Sequence, residues 1–157
     1  MRNNHWLKEF LNQLLKQYFP EIPFNPRLIV KFGRKAKTRL GSIRQNPQDK
    51  KETIITVNGL LQVKNIPLLV IKATLIHELS HYAHGFNSPL QQKYRFPHAG
   101  GIVRAEFRQR GLEQLYVDQK RWLKANWPKI VERNFKPRSV KVKRVSRKIP
   151  HPFWFRF

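Results

Sequence analysis

Leu75-Ile76-His77-Glu78-Leu79-Ser80-His81-Tyr82 sets two imidazoles four residues apart, with a carboxylate directly after the first. On a helix, positions i and i+4 lie one above the other on the same face, so His77 and His81 can aim ring nitrogens at one metal ion. Glu78 lies about 100° round the helix, near such an ion without having to ligate it, and is placed to take a proton from water. This is the HExxH pattern of zinc hydrolases. Its surroundings support a helix, because Ile66, Leu69, Val70, Ala73, Ile76, Leu79 and Ala83 recur at helical spacing. Leu68, Ile71, Leu75 and Tyr82 fill much of the other side, and a helix apolar nearly all round is a central one. Two histidines and a glutamate are costly to bury there alone, and a shared metal ion is the simplest compensation.

A catalytic zinc site has three protein ligands and an open position, so two histidines are incomplete. His84 lies seven residues after His77 on the same face, but about 10.5 Å further along the axis, too far to share one ion. Gly85 reads as the residue that ends the helix, which leaves His84 as a cation at the helix C-terminus. The longer pattern HExxHxxGxxH is excluded, because His84 and Asn87 stand where it needs Gly and His. His98, in Phe96-Pro97-His98-Ala99-Gly100-Gly101, follows a turn-rich loop that can fold back over the motif helix, and is the first candidate for the third ligand. Glu106 is the main competitor and Glu113 a further one.

Outward from the motif, Leu7, Leu11, Leu14 and Tyr18 lie on the apolar stripe of an amphipathic helix over 4–19, stopped by Pro20. Strands are expected at 27–32, 39–45 and 52–58, punctuated by Gly33 and by Asn46-Pro47. Residues 85–101 read as an irregular loop, 102–110 as a third helix broken at Gly111, and 112–127 as a fourth stopped before Pro128. The fold class is therefore α+β, with a three-stranded antiparallel sheet packed on a central HExxH helix and further helices flanking it. Residues 1–128 form the expected domain and 129–157 a basic, aromatic extension. Strand 52–58 is the expected edge to which an extended substrate would pair.

With Leu40-Gly41-Ser42-Ile43-Arg44 and Glu52-Thr53-Ile54-Ile55-Thr56-Val57-Asn58 as strands, Thr74 to His81 as the motif helix and Pro97-His98 downstream, the order of elements resembles that of SprT-like zinc metallopeptidases, a family that includes the DNA–protein crosslink protease Spartan. The likeness spans residues 6–115. It implies a small zincin-like protease domain with one Zn²⁺ per chain on His77, His81 and His98, and Glu78 as general base. Many such relatives carry a C-terminal zinc ribbon built on cysteines, and this chain has no Cys.

Charge is the second strong signal. There are 32 Lys and Arg against 9 Asp and Glu, a formal net charge of +23, which points to a polyanionic partner. Lys136, Arg138, Lys141, Lys143, Arg144, Arg147 and Lys148 form an uninterrupted basic run in the extension, with Val alternating through Ser139–Ser146 as in a strand. Such a run gives phosphate affinity without sequence choice, and the resemblance favours DNA over RNA. A second cluster, Lys31, Arg34, Lys35, Lys37, Arg39 and Arg44, brackets the first two strands, expected to form a hairpin. An anionic lipid surface is the weaker reading of the aromatic terminus Phe153-Trp154-Phe155-Arg156-Phe157. No run of about 20 apolar residues and no signal-peptide apolar region is found, so a cytoplasmic location is expected, nucleoid-associated in a bacterium. The expected activity is a zinc metalloendopeptidase acting on proteins at nucleic acid. The competing function is a basic nucleic-acid-binding protein whose metal site is structural.

Overall fold

A computed structural model describes residues 1–135; the seven basic residues from Lys136 to Lys148 and the strand expected at 139–146 lie outside the described residues. Helix α1 (Asn4–Tyr18) opens on Asn3, whose Oδ1 accepts from the Trp6 amide at 2.8 Å. It buries Leu7, Leu11 and Leu14, as the stripe dictates. Strands β1 (Leu28–Phe32), β2 (Gly41–Gln45) and β3 (Thr53–Val57) follow, then α2 (Leu68–Ala83), α3 (Ile102–Gln109) and α4 (Glu113–Asn134). The class is α+β, with a small three-stranded sheet and four α-helices among the described residues.

The sheet is mixed, which corrects the expected antiparallel one. Its order is β1-β3-β2, with β1 parallel to β3 and β2 antiparallel to it. The two strands bracketed by the basic cluster form no hairpin; residues 33–40 instead carry the chain past the end of β3. Asn58 holds that crossing in place. Its Nδ2 donates to Ala36 O (2.8 Å) and Arg39 O (2.7 Å), and its backbone amide donates to Leu40 O (2.8 Å). Consequently β3 is central rather than an edge, as its nearly continuous burial demands. The free edge beside the motif helix belongs to β2.

Leu75, Ile76, Leu79, Ile71 and Val70 of α2 are fully buried, and the α1 stripe, Ile55, Val57 and Phe107 join them in one core. Two hydroxyls on α2 are satisfied within the helix: Thr74 Oγ1 donates to Val70 O and Ser80 Oγ to Ile76 O. α4 does not stop before Pro128 but runs through it to Asn134. Pro128 and Lys124 are both exposed, so water can serve the carbonyl that the missing amide leaves unpaired. Trp127 Nε1 donates to Lys37 O at 2.7 Å, pinning that turn of α4 to the 33–40 crossing. No helix among the described residues is long and apolar enough to cross a membrane.

Candidate metal centre

α2 ends two residues after His81, and the way it ends delivers the third imidazole. Gly85 takes φ +81°, its amide donates to Tyr82 O, and the Phe86 amide reaches back to His81 O at 2.9 Å, a Schellman closure. A Cβ at Gly85 would collide with the backbone carbonyl of Gln91, so the chain turns back over its own helix only because residue 85 is glycine. Ser88 Oγ donates to Tyr82 O and Thr53 Oγ1 to Asn87 O, both at 2.9 Å, fastening the returning segment to α2 and β3. His98 arrives at the head of the 3-10 turn Ala99–Gly101, beside the two helix histidines.

One nitrogen from each of His77, His81 and His98 lies within 4.8 Å of the others, the one such cluster of three or more potential ligands among the described residues. His77 Nε2 and His81 Nε2 are 3.1 Å apart. Two lone pairs at that distance repel unless a proton or a cation lies between them. Two nitrogens each about 2.0–2.1 Å from a tetrahedral ion stand about 3.3 Å apart, so the pair has the spacing a shared ion needs. Burial, with the neighbouring His98 and Lys120 assisting, holds His77 down to about 4. Burial and the other imidazoles hold His81 down to about 3. Both rings are therefore neutral near pH 7, the form that ligates. His81 Nδ1 is buried without a hydrogen-bond partner among the described residues, so packing against Phe86 and His98 orients that ring.

Glu78 stands beside the cluster and is 5% exposed. Burial pushes its carboxyl up to about 7 against the opposing pull of Arg39, so it is poised to exchange a proton near neutrality. Gly41, the first residue of β2, lies directly over it, and a Cβ there would sit 2.5 Å from Glu78 Oε1 and 2.8 Å from Thr74 Cγ2. Glycine at 41 thus lets the edge strand cross the carboxylate closely. Neither Gly41 nor Asn58 stands out as a site residue in sequence. Each matters through a neighbour distant along the chain.

The competing ligands are committed elsewhere. Glu106 Oε2 accepts from His84 Nε2 at 2.8 Å, and its other oxygen accepts from Arg110, which also reaches Glu21 at 2.5 Å. Burial would raise the Glu106 carboxyl, but the hydrogen bonds from His84 and Arg110 outweigh it and hold it at about 2. His84 does stand at the end of α2, as its C-cap, but its ring turns inward. It is buried, 1% exposed, and braces α2 against α3. Glu113 is shared by Arg104 and Arg108, each at 2.9 Å. The three histidines and Glu78 line one groove of about 370 Å³ along β2, bounded also by Ser42, Phe86 and Pro97. Comparison of the chain with protein-family models, with curated proteins and with solved structures finds no match to any of them.

Proposed function

We propose that the chain is a zinc-dependent metalloendopeptidase of the SprT-like kind, acting on proteins held at nucleic acid. The observation that carries this reading is the convergence of three imidazoles from α2 and the 85–98 loop beside a buried carboxylate, under a free strand edge. Three nitrogen donors and space for a fourth ligand fit Zn²⁺, which when bound would polarise a carbonyl and make nearby water acidic. Everything else falls to the protein. An extended peptide pairs with the unpartnered edge of β2, whose start at Gly41 lies over Glu78. Glu78 takes the proton of the attacking water and hands it to the departing amine, a role suited to a carboxyl titrating near 7. The net charge of +23 would hold the enzyme near a polyanion and so near proteins bound to it.

The test is Glu78→Gln, which keeps volume but removes the basic oxygen. Purified wild type should carry about one zinc per chain and cut a flexible protein substrate. The variant should retain its zinc and lose activity by a factor of at least about 10². His81→Ala should lose the stoichiometric zinc. Unchanged cleavage by Glu78→Gln removes Glu78 as the base. Absence of cleavage by wild type, with or without DNA, leaves the nucleic-acid-binding protein with a structural metal site as the better reading.

A further inference from the structure

Beyond His77 and Glu78 the groove opens into a second cavity of about 370 Å³, walled by α3 and α4, and its far wall is cationic. Its floor is braced, because Gln119 donates to both Val70 O and Thr74 Oγ1 at 3.2 Å. Val103 and Leu123 give it apolar sides. On the remaining wall the Arg104 guanidinium and Lys120 Nζ lie 5.9 and 5.4 Å from the Tyr116 ring centroid, both within cation–π range. Arg104 must share Glu113 with Arg108. Lys120 has no carboxylate partner among the described residues, and Asp118 nearby is paired with Arg121 at 3.2 Å. Glu113 therefore offsets part of the Arg104 charge and none of the Lys120 charge, so this wall stays net positive. The Lys120 charge also reaches the His77 ring, whose protonation it opposes.

We propose that this cavity is a side-chain subsite selecting an acidic residue, Asp or Glu, next to the scissile bond, with Lys120 binding its carboxylate. The inference rests on the peptidase reading. A peptide lying along β2 with its carbonyl at the histidines must turn a neighbouring side chain into this cavity, because Gly41, His77, Glu78 and His98 border both spaces. Val103 and Leu123 accept the methylenes of such a side chain, and the Tyr116 face holds Lys120 toward its end. A Lys or Arg in the same place would meet Arg104 and Lys120 at like charge. Recognition therefore discriminates by repulsion as well as attraction.

The experiment uses full-length Glu78→Gln protein loaded with zinc and fluorescent peptides of constant composition and net charge, in which one Glu is moved along the sequence. Constant charge cancels the general pull of a basic protein. One register should bind roughly fivefold more tightly than the rest. Adding Lys120→Glu should abolish that preference and shift it toward a Lys in the same register, whereas Lys8→Glu on α1, an equal change of charge away from the cavity, should preserve it. Equal binding in every register overturns the proposal, as does a preference that survives Lys120→Glu. Displacement of the peptide by a short oligonucleotide in a Lys120-dependent manner also overturns it, assigning the cations to phosphate. Wild-type cleavage is scored separately. Cutting without register preference refutes the subsite and leaves the peptidase standing, while register-specific binding without cutting refutes the peptidase and leaves the acid-binding pocket.

Discussion

At the scale of single residues, Glu78 and the two helix histidines titrate in opposite directions from their ordinary values, because burial disfavours the charged form of each. His77 and His81 fall from 6.5 to about 4 and about 3, so the stability they lend as neutral rings is present above pH 6.5 and lost as pH falls toward those values. Glu78 rises from 4.5 to about 7, so its contribution is present below 4.5 and lost as pH climbs through 7. Two histidines outweigh one glutamate where the ranges overlap. Metal-stripped protein should therefore be most stable near pH 6.5. It should weaken steeply in acid and more gently toward pH 8. Glu78→Gln should remove the alkaline decline and be a few kcal/mol more stable than wild type at pH 8. Urea unfolding of chelator-treated protein across pH 4–9 checks this, and superimposable curves for the two proteins would show that Glu78 is not held in a desolvated site. Gly41 belongs to the same scale, since its missing side chain is what allows β2 to lie on that carboxylate.

At the scale of elements, the C-terminal turn of α2 links helix termination to metal binding. The Schellman closure at Gly85 sets the direction of the loop that returns His98, and the buried His84–Glu106 contact, with Arg110 behind it, holds α3 where that loop must end. Gly85→Ala meets two penalties, a positive φ unsuited to a side chain and a collision with backbone at Gln91. Gly111→Ala, at φ +69° with open space around its Cβ, meets only the first. Gly111→Ala should cost about 1 kcal/mol and leave zinc affinity unchanged. Gly85→Ala should cost about 2 kcal/mol or more and weaken zinc binding as well. Thermal midpoints and competitive zinc titration of the pair separate the effects, and equal zinc affinities would show that the loop reaches His98 independently of the helix end.

At the scale of the whole molecule, charge and site are separable. The seven basic residues from Lys136 to Lys148 supply the densest positive run in the chain, with no acid among them. If about half contact phosphate, replacing all seven with Gln in the full-length protein should reduce the slope of log K against log salt on duplex DNA by about 3. Zinc content and cleavage of a free peptide should not change. An unaltered slope would move the nucleic-acid surface to residues 1–135, where Lys35, Lys37 and Arg39 lie on the crossing that Trp127 pins to α4.

The local elements and the motif were legible in the sequence because each follows from periodicity and spacing among neighbours. The α1 stripe, the three short strands, the apolar α2 and the i, i+4 histidines need only a few consecutive residues to declare themselves. His98 was legible as a candidate because few other ligands follow the motif at loop distance. Only the tertiary structure decided its proximity to the pair and the exclusion of Glu106, whose partners His84 and Arg110 come from helix faces that spacing alone does not bring together. Sheet order was likewise invisible, because a strand's own residues report its burial but not its neighbours; the crossing held by Asn58 placed β3 in the centre and made β2 the edge over Glu78. Pro128 shows the converse, a strong local stop overridden where exposure lets water serve the broken bond while Trp127 and Ile130 hold the helix onto the core. Contacts between residues far apart in sequence depend on the shape of the assembled core, and no local pattern encodes that shape.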